Sequence, residues 1–426
     1  MQIGMAIGIL LLFMMLSIPI GFALGLAGIA SLAMMVPAGA IASLMTQVVY
    51  STVANATFLT VPMFVLMAEF LSCGGVAEDL LLACNRLLRR IRGGLAMACI
   101  LAGVVHAAAT GSSSASAASL ARASYPAMLK AGYASPFAVG AIAIAGTLAI
   151  MIPPSVSFVL FGLMTETSVG KLFLAGIMPG LLTALGYMIT ISCVLWLRPE
   201  YGPDPKRETQ IATGSQSRGR TWPMLLLIVI VLGGLYGGVA TPTEISAIGA
   251  VGAFLISLSS RRMSRENFID AVGATLRITT MIITIIYGAH LFGYFISFAR
   301  LTDTILGWVA EAGLSPIVVI SAIVTVYLIL GMFMDQAAII ILTAPITTPI
   351  VAGLGFDPIW WGVIMIKTSE IGMVSPPLGL VTFVVAQTTR TDLRSNFLGV
   401  VPYVVTEIIL LAVLVAFPEI TLWLTR

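Results

Sequence analysis

The chain has 426 residues, of which 59% are hydrophobic and only 9% charged, with a mean hydropathy of +1.07. Soluble globular domains carry about 25% charged residues, so the composition excludes one and predicts an all-α polytopic membrane protein set in a lipid bilayer. The formal charge of +3 is scattered through loops, so no nucleic-acid partner is expected.

In chain order, apolar segments run over residues 3–35 (broken near Pro19), 46–72, 133–165, 173–197, 222–258 (broken near Pro242), 267–298, 356–388 and 397–424. Strand-like alternation is absent, so all are read as helices. A span needs about 20 residues, which gives about 10–12 transmembrane helices, with the number of crossings around Pro19 and Pro242 left open. The first basic residue is Arg86. A signal peptide's positive n-region is therefore missing, and the first apolar run is read as mature structure starting on the outer face. Cys73, Cys84, Cys99 and Cys193 have no ligand-like spacing and are read as packing residues.

Two further apolar stretches, 94–129 and 317–351, have polar, glycine-bearing middles: Ala109-Thr110-Gly111-Ser112-Ser113-Ser114 and Gly331-Met332-Phe333-Met334-Asp335-Gln336. The first is flanked by Arg86, Arg89, Arg90, Arg92 and Lys130. Basic loops stay in the cytoplasm, so both its ends lie inside and it is a re-entrant hairpin. The second is flanked only by Glu311 and Asp357, which suits a hairpin entering from the outer face. Before each hairpin comes an amphipathic stretch, Val76 to Arg90 and Leu301 to Ala312. Each is either an interfacial arm or an ordinary connecting helix.

A shift of 223 residues brings Pro126 onto Pro349, Gly132-Tyr133 onto Gly355-Phe356, Pro153-Pro154 onto Pro376-Pro377 and Pro179 onto Pro402. The chain is thus read as two repeats, 1–197 and 221–426, joined by a cytoplasmic linker over 198–220 that is rich in Gly, Ser and charge. The loop charges invert one repeat relative to the other, as in secondary transporters, whose sites lie where two such halves meet.

Non-helical backbone at membrane depth persists only where it is buried in protein or lines a wet cavity. The hairpin tips and the helices broken at the paired prolines are such places. Sodium is held by carbonyl and hydroxyl oxygens, and half-helix N-termini attract anions. One sodium site is therefore expected at Gly111, Ser112, Ser113, Ser114, Gly146, Thr147, Pro153 and Ser155, and a second at Gly331, Asp335, Glu370, Gly372, Ser375 and Pro376. Sodium is the coupling ion; no other cofactor and no transition metal is expected. Arg122, Ser113, Ser155 and Lys367 are the substrate candidates, although Arg122 also suits snorkelling and Lys367 also suits pairing with Glu370.

Six stretches together resemble the large membrane subunit of TRAP (tripartite ATP-independent periplasmic) transporters: Gly111 to Ala115, Gly132-Tyr133, Met151 to Ser155, Ala240 to Glu244, Gly331 to Asp335 and Ser375 to Gly379. The resemblance implies sodium-driven uptake of a small carboxylate, an organic or sugar acid, across a bacterial inner membrane. It also implies an elevator-type fold, a separate small four-helix membrane subunit and a periplasmic substrate-binding protein. A stand-alone ion-coupled carboxylate carrier or cation antiporter is the alternative. An intramembrane hydrolase is not expected, because His106 and Ser112 lack a third orienting residue and no GxSxG or HExxH is present.

Overall fold

A computed structural model of the chain describes residues 2–73, 76–88, 90–204, 222–261 and 263–426. The expected linker is thus described only as far as Asp204, and Lys206, Arg207, Arg218 and Arg220 lie outside the described residues.

The first half comprises α1 (Gln2–Met15), α2 (Ile20–Leu32), α3 (Ala38–Ala54), α4 (Thr60–Cys73), α5 (Val76–Leu88), α6 (Gly94–Thr110), α7 (Ser113–Ala131), α8 (Ser135–Met151), α9 (Val156–Thr165) and α10 (Val169–Leu197). The second comprises α11 (Trp222–Tyr236), α12 (Pro242–Ser259), α13 (Arg265–Phe298), α14 (Leu301–Glu311), α15 (Pro316–Phe333), α16 (Gln336–Gly353), α17 (Pro358–Val374), α18 (Leu380–Thr389), α19 (Leu393–Ala416) and α20 (Glu419–Leu422). Helices α8 and α17 begin and end 223 residues apart, as the sequence shift requires. Among the described residues, seven helices are long and apolar enough to cross a membrane, and α8 with α9, bent by 40°, makes an eighth candidate.

One expected segment, 46–72, is divided. Asn55 leaves the helical region (φ −76°, ψ 110°) and its side chain accepts from the Thr57 amide at 2.9 Å, opening a short 3₁₀ turn before α4. Asparagine favours such local capping over helix continuation. The matching helix in the second half, α13, runs unbroken for 34 residues. Pro242 starts α12, where Thr241 and Glu244 form a reciprocal capping box.

The helices pack in two groups. One contains α1 to α4 with α11 to α13, held by α2 against α13 and α4 against α12. Its α2–α13 crossing is close enough that a Cβ on Gly288 would strike the Gly21 backbone, the small-residue packing typical of membrane helices. The other group contains α6 to α10 with α15 to α19 and is centred on α8 and α17. Residues 137–151 of α8 and 360–374 of α17 are all buried; that is expected of α8, which is apolar on nearly every face, whereas α17 buries Lys367 and Glu370 as well. Each hairpin's second arm packs on its own half's broken helix and on the far segment of the other: α7 on α8 and α18, α16 on α17 and α9. The groups meet through α4 against α6 and α9, and through α13 against α16.

Candidate substrate and ion site

The hairpin tips fall at Gly111-Ser112 and Met334-Asp335, between α6 and α7 and between α15 and α16. Gly111 ends α6 in the left-handed region (φ 57°), a conformation that costs a side-chain-bearing residue about 1–2 kcal/mol. A Cβ there would lie 3.1 Å from the Val156 side chain and 3.2 Å from its amide nitrogen, so the tip rests on the first residue of α9. The second tip is closed by Asp335, whose carboxylate accepts from the Ala337 amide at 3.0 Å and caps α16.

Both tips open on one cavity of about 270 Å³ between the helix groups. The first tip contributes Gly111 to Ala115, α9 contributes Val156 and Ser157, and the second tip contributes Asp335 to Ala337. The opposite wall is α4, through Glu69 and Ser72, and α13, through Ile278 and Met281. Helices α7, α9 and α16 therefore point their N-termini at this space. Neither Ser112 nor Ser155 caps its helix with its side chain, and the Ser155 hydroxyl instead donates to the Ile150 carbonyl at 2.6 Å. Uncapped amides and the partial positive charge of a helix start favour an anion, typically by 0.3–1 kcal/mol and up to about 2 kcal/mol per helix. The Glu69 and Asp335 carboxylates beside them supply the opposite preference, for a cation.

The expected site residues are distributed as follows. Gly111, Ser112, Ser113 and Ser114 line the cavity, with Asp335 across from them. Pro153 and Ser155 are buried just behind the tip. Gly146 is a packing point, since a Cβ would lie 2.5 Å from that of Ala117 on α7. Gly331 and Gly372 likewise face each other inside α15 and α17, not at a tip or break. Ser375 donates to Ile371, and Pro376 is exposed. Arg122 lies on an exposed face of α7.

Lys367, Glu370 and Thr147 sit elsewhere, in a fully buried cluster within the second group. The Lys367 ammonium reaches Glu407 at 2.5 Å, Thr183 at 2.9 Å and Glu370 at 3.3 Å. The Tyr187 phenol donates to Glu407. This pairing realises the Lys367–Glu370 neutralisation read from their spacing and adds Glu407, a partner that sequence separation concealed.

The cavity also takes in Glu69, a carboxylate in an apolar segment and so a functional suspect from the sequence, and Gln336 from the polar middle of the second hairpin, neither assigned to a site in advance, together with Ser72 and Ser157, which sequence reasoning passed over. Glu69 and Ser72 are three apart, so they share a face of α4. Ser157 follows directly on the uncapped start of α9. Gln336 donates to the Ile366 carbonyl at 3.3 Å, tying the second tip to α17.

Comparison with known proteins follows the same outline. The chain is 38% identical to the C4-dicarboxylate TRAP transporter large permease protein DctM of Pseudomonas aeruginosa, over 88% of this chain and 87% of that one. It is 30% identical to the sialic acid TRAP transporter large permease protein SiaM of Vibrio cholerae, over 95% and 94%. It is 31% identical to the isethionate TRAP transporter permease protein DctMQ of Oleidesulfovibrio alaskensis, over 98% of this chain but 65% of that one. These relatives are named as permeases, not enzymes. The crystal structure of the Alcanivorax borkumensis YdaH transporter, described as having an unusual topology, shares the fold with a TM-score of 0.68 at 16% identity, covering 90% of each chain. Residues 7–420 match the model of the tripartite ATP-independent periplasmic transporter DctM component, and the chain belongs to that family.

Proposed function

We propose that this chain is the large permease subunit of a sodium-coupled importer of a small carboxylate in a bacterial inner membrane, moving its substrate by an elevator form of alternating access. The observation that carries the reading is the cavity where the uncapped starts of α7 and α9 meet the carboxylates of Glu69 and Asp335. An anion and a cation each find complementary groups there, which is the local requirement for co-transport. The hydroxyls of Ser112, Ser113 and Ser114 add neutral oxygens suited to sodium or to a carboxylate's hydroxyl substituents. Helices α1 to α4 and α11 to α13 form the fixed scaffold in this reading, and the group around α8 and α17 moves. The arms α5 and α14 connect the two, with α5 packed on α6 and α14 on α16. Two of the substrates named for relatives, C4-dicarboxylates and sialic acid, are carboxylates and support the class; a third, isethionate, is a sulfonate and shares the anionic charge. A small four-helix subunit and a periplasmic binding protein complete the assembly.

The test is uptake into proteoliposomes holding the chain with its small subunit, using a panel of carboxylates with their binding proteins, with and without an inward sodium gradient. Uptake that requires both sodium and a binding protein supports the proposal. Sodium-driven uptake without a binding protein identifies a stand-alone carrier instead.

A further inference from the structure

Between the first tip and the inner end of its second arm, α7 carries one basic side chain. Arg122 lies nine residues beyond the helix start at Ser113 and eight before Lys130, which puts it about 12 to 14 Å along the helix from each. The residue is exposed, and among the described residues no hydrogen bond or ion pair engages its guanidinium. A charge at that depth is costly unless it faces a wet space or a partner of opposite sign.

Helical geometry sets what it faces. Ala115, which lines the tip cavity, is seven residues earlier, two turns of helix, and so on the same face as Arg122. Ser119 lies between them, and the exposed Pro126 continues the face toward the inner end. The other side of α7, through Ser116, Leu120, Ser124 and Met128, is the buried one; the helix packs on α5, α6, α8 and α18. Pro126 also has no N–H to return to the carbonyl four residues back, which is that of Arg122. A backbone group freed in this way at membrane depth is tolerated where it lines a water-filled space. The second hairpin lacks the feature: a shift of 223 puts Pro345 where Arg122 stands, and neither of its arms holds a Lys or Arg.

We propose that the α7 face from Ala115 through Arg122 lines the cytoplasmic exit of the tip cavity, and that Arg122 is an anion-binding station on it. The departing carboxylate exchanges the helix N-termini of the cavity for this guanidinium before it reaches Lys130 and bulk water. The inference rests on the proposed transport of a carboxylate. None of the described residues lining the cavity is Lys or Arg, so Arg122 is the first cationic side chain that the anion meets along α7. A cleft lined by one sign of charge raises the local concentration and on-rate of the opposite sign by about tenfold or more. Because the second hairpin has no counterpart, the aid is given on the inner side alone, the direction of import.

The test takes the assembled transporter in lipid nanodiscs, with its four cysteines replaced and Ser119→Cys added, three residues before Arg122 on the helix surface. Labelling rates are compared for two thiol reagents of similar size, one bearing a sulfonate and the other a quaternary ammonium. The sulfonate reagent should be favoured, and the ratio of the two rates should fall about tenfold in Arg122→Gln and return in Arg122→Lys. In proteoliposomes, Arg122→Gln should slow carboxylate uptake without changing its sodium requirement, with rescue by Arg122→Lys. A labelling ratio indifferent to residue 122 overturns the proposal, as does uptake at the natural rate in Arg122→Gln. A cysteine at residue 119 that neither reagent reaches also overturns it, by giving this face to lipid or to the small subunit. Absence of uptake by the natural chain overturns the transport reading itself, a failure that the substrate-free labelling ratio keeps separate.

Discussion

At the first helix break, Pro153, Pro154 and Ser155 are buried, and Gly111 of the hairpin tip packs on the α9 start. At the second, Pro376, Pro377 and Leu378 are exposed, and the glycine that begins the next segment, Gly379, is approached by Phe397 and not by the tip. The frame is the same in both halves, down to helices that start and stop 223 residues apart. The surroundings and the side chains at matching positions differ: Ser112 stands opposite Asp335, Ile144 opposite Lys367 and Thr147 opposite Glu370. The duplication therefore explains where backbone breaks fall, and the divergence between halves explains where charge sits.

The largest test of that contrast is in the buried cluster. Replacing Lys367 with Met leaves its acidic partners without their cation and should cost about 3–5 kcal/mol of stability. The matching change in the first half, Ile144→Val, should cost about 0.5–1.5 kcal/mol. Denaturation of the purified variants compares them directly, and equal losses would mean that the cluster adds nothing beyond packing.

At the tips, Gly111→Ala forces a side chain into left-handed backbone and against Val156. It should slow uptake about tenfold, the rate equivalent of about 1.4 kcal/mol. Met334→Ala, at the matching position, has no such constraint and should change the initial rate far less. A third comparison sets Asp335→Ala against Ser112→Ala. The former should abolish the sodium stimulation of uptake while leaving the protein inserted in the membrane, and the latter should weaken it. Sodium titration of uptake decides; undiminished dependence in Asp335→Ala removes that carboxylate from the ion chemistry. The smallest difference is expected between the breaks themselves. Pro153→Ala and Pro376→Ala should both slow uptake by letting helix re-form, with the buried Pro153 the more sensitive. The reverse order in initial rates would indicate that the exposed break carries the chemistry.

Much of this architecture was legible in the sequence because glycine and proline punctuate helices for local reasons. Pro153-Pro154 and Pro376-Pro377 placed both breaks, and Gly111-Ser112 placed the first tip. Asp335 was found because a carboxylate in an apolar segment is costly enough to need a purpose. Gly146, Gly331 and Gly372 misled for the complementary reason: glycine also serves close helix crossings, which local sequence does not distinguish from breaks. The wall formed by Glu69 and Ser72, and the pairing of Lys367 with Glu407, depend on how distant helices pack. No spacing rule along one helix reports that.

The central claim is that the cavity between the tips holds substrate and coupling ion together. A single cysteine at its wall, Ser112→Cys in a background where Cys73, Cys84, Cys99 and Cys193 are replaced by serine or alanine, can be labelled with a soluble thiol reagent in the assembled transporter. Sodium together with the transported carboxylate should slow the labelling more than either alone. A labelling rate indifferent to both would contradict the account.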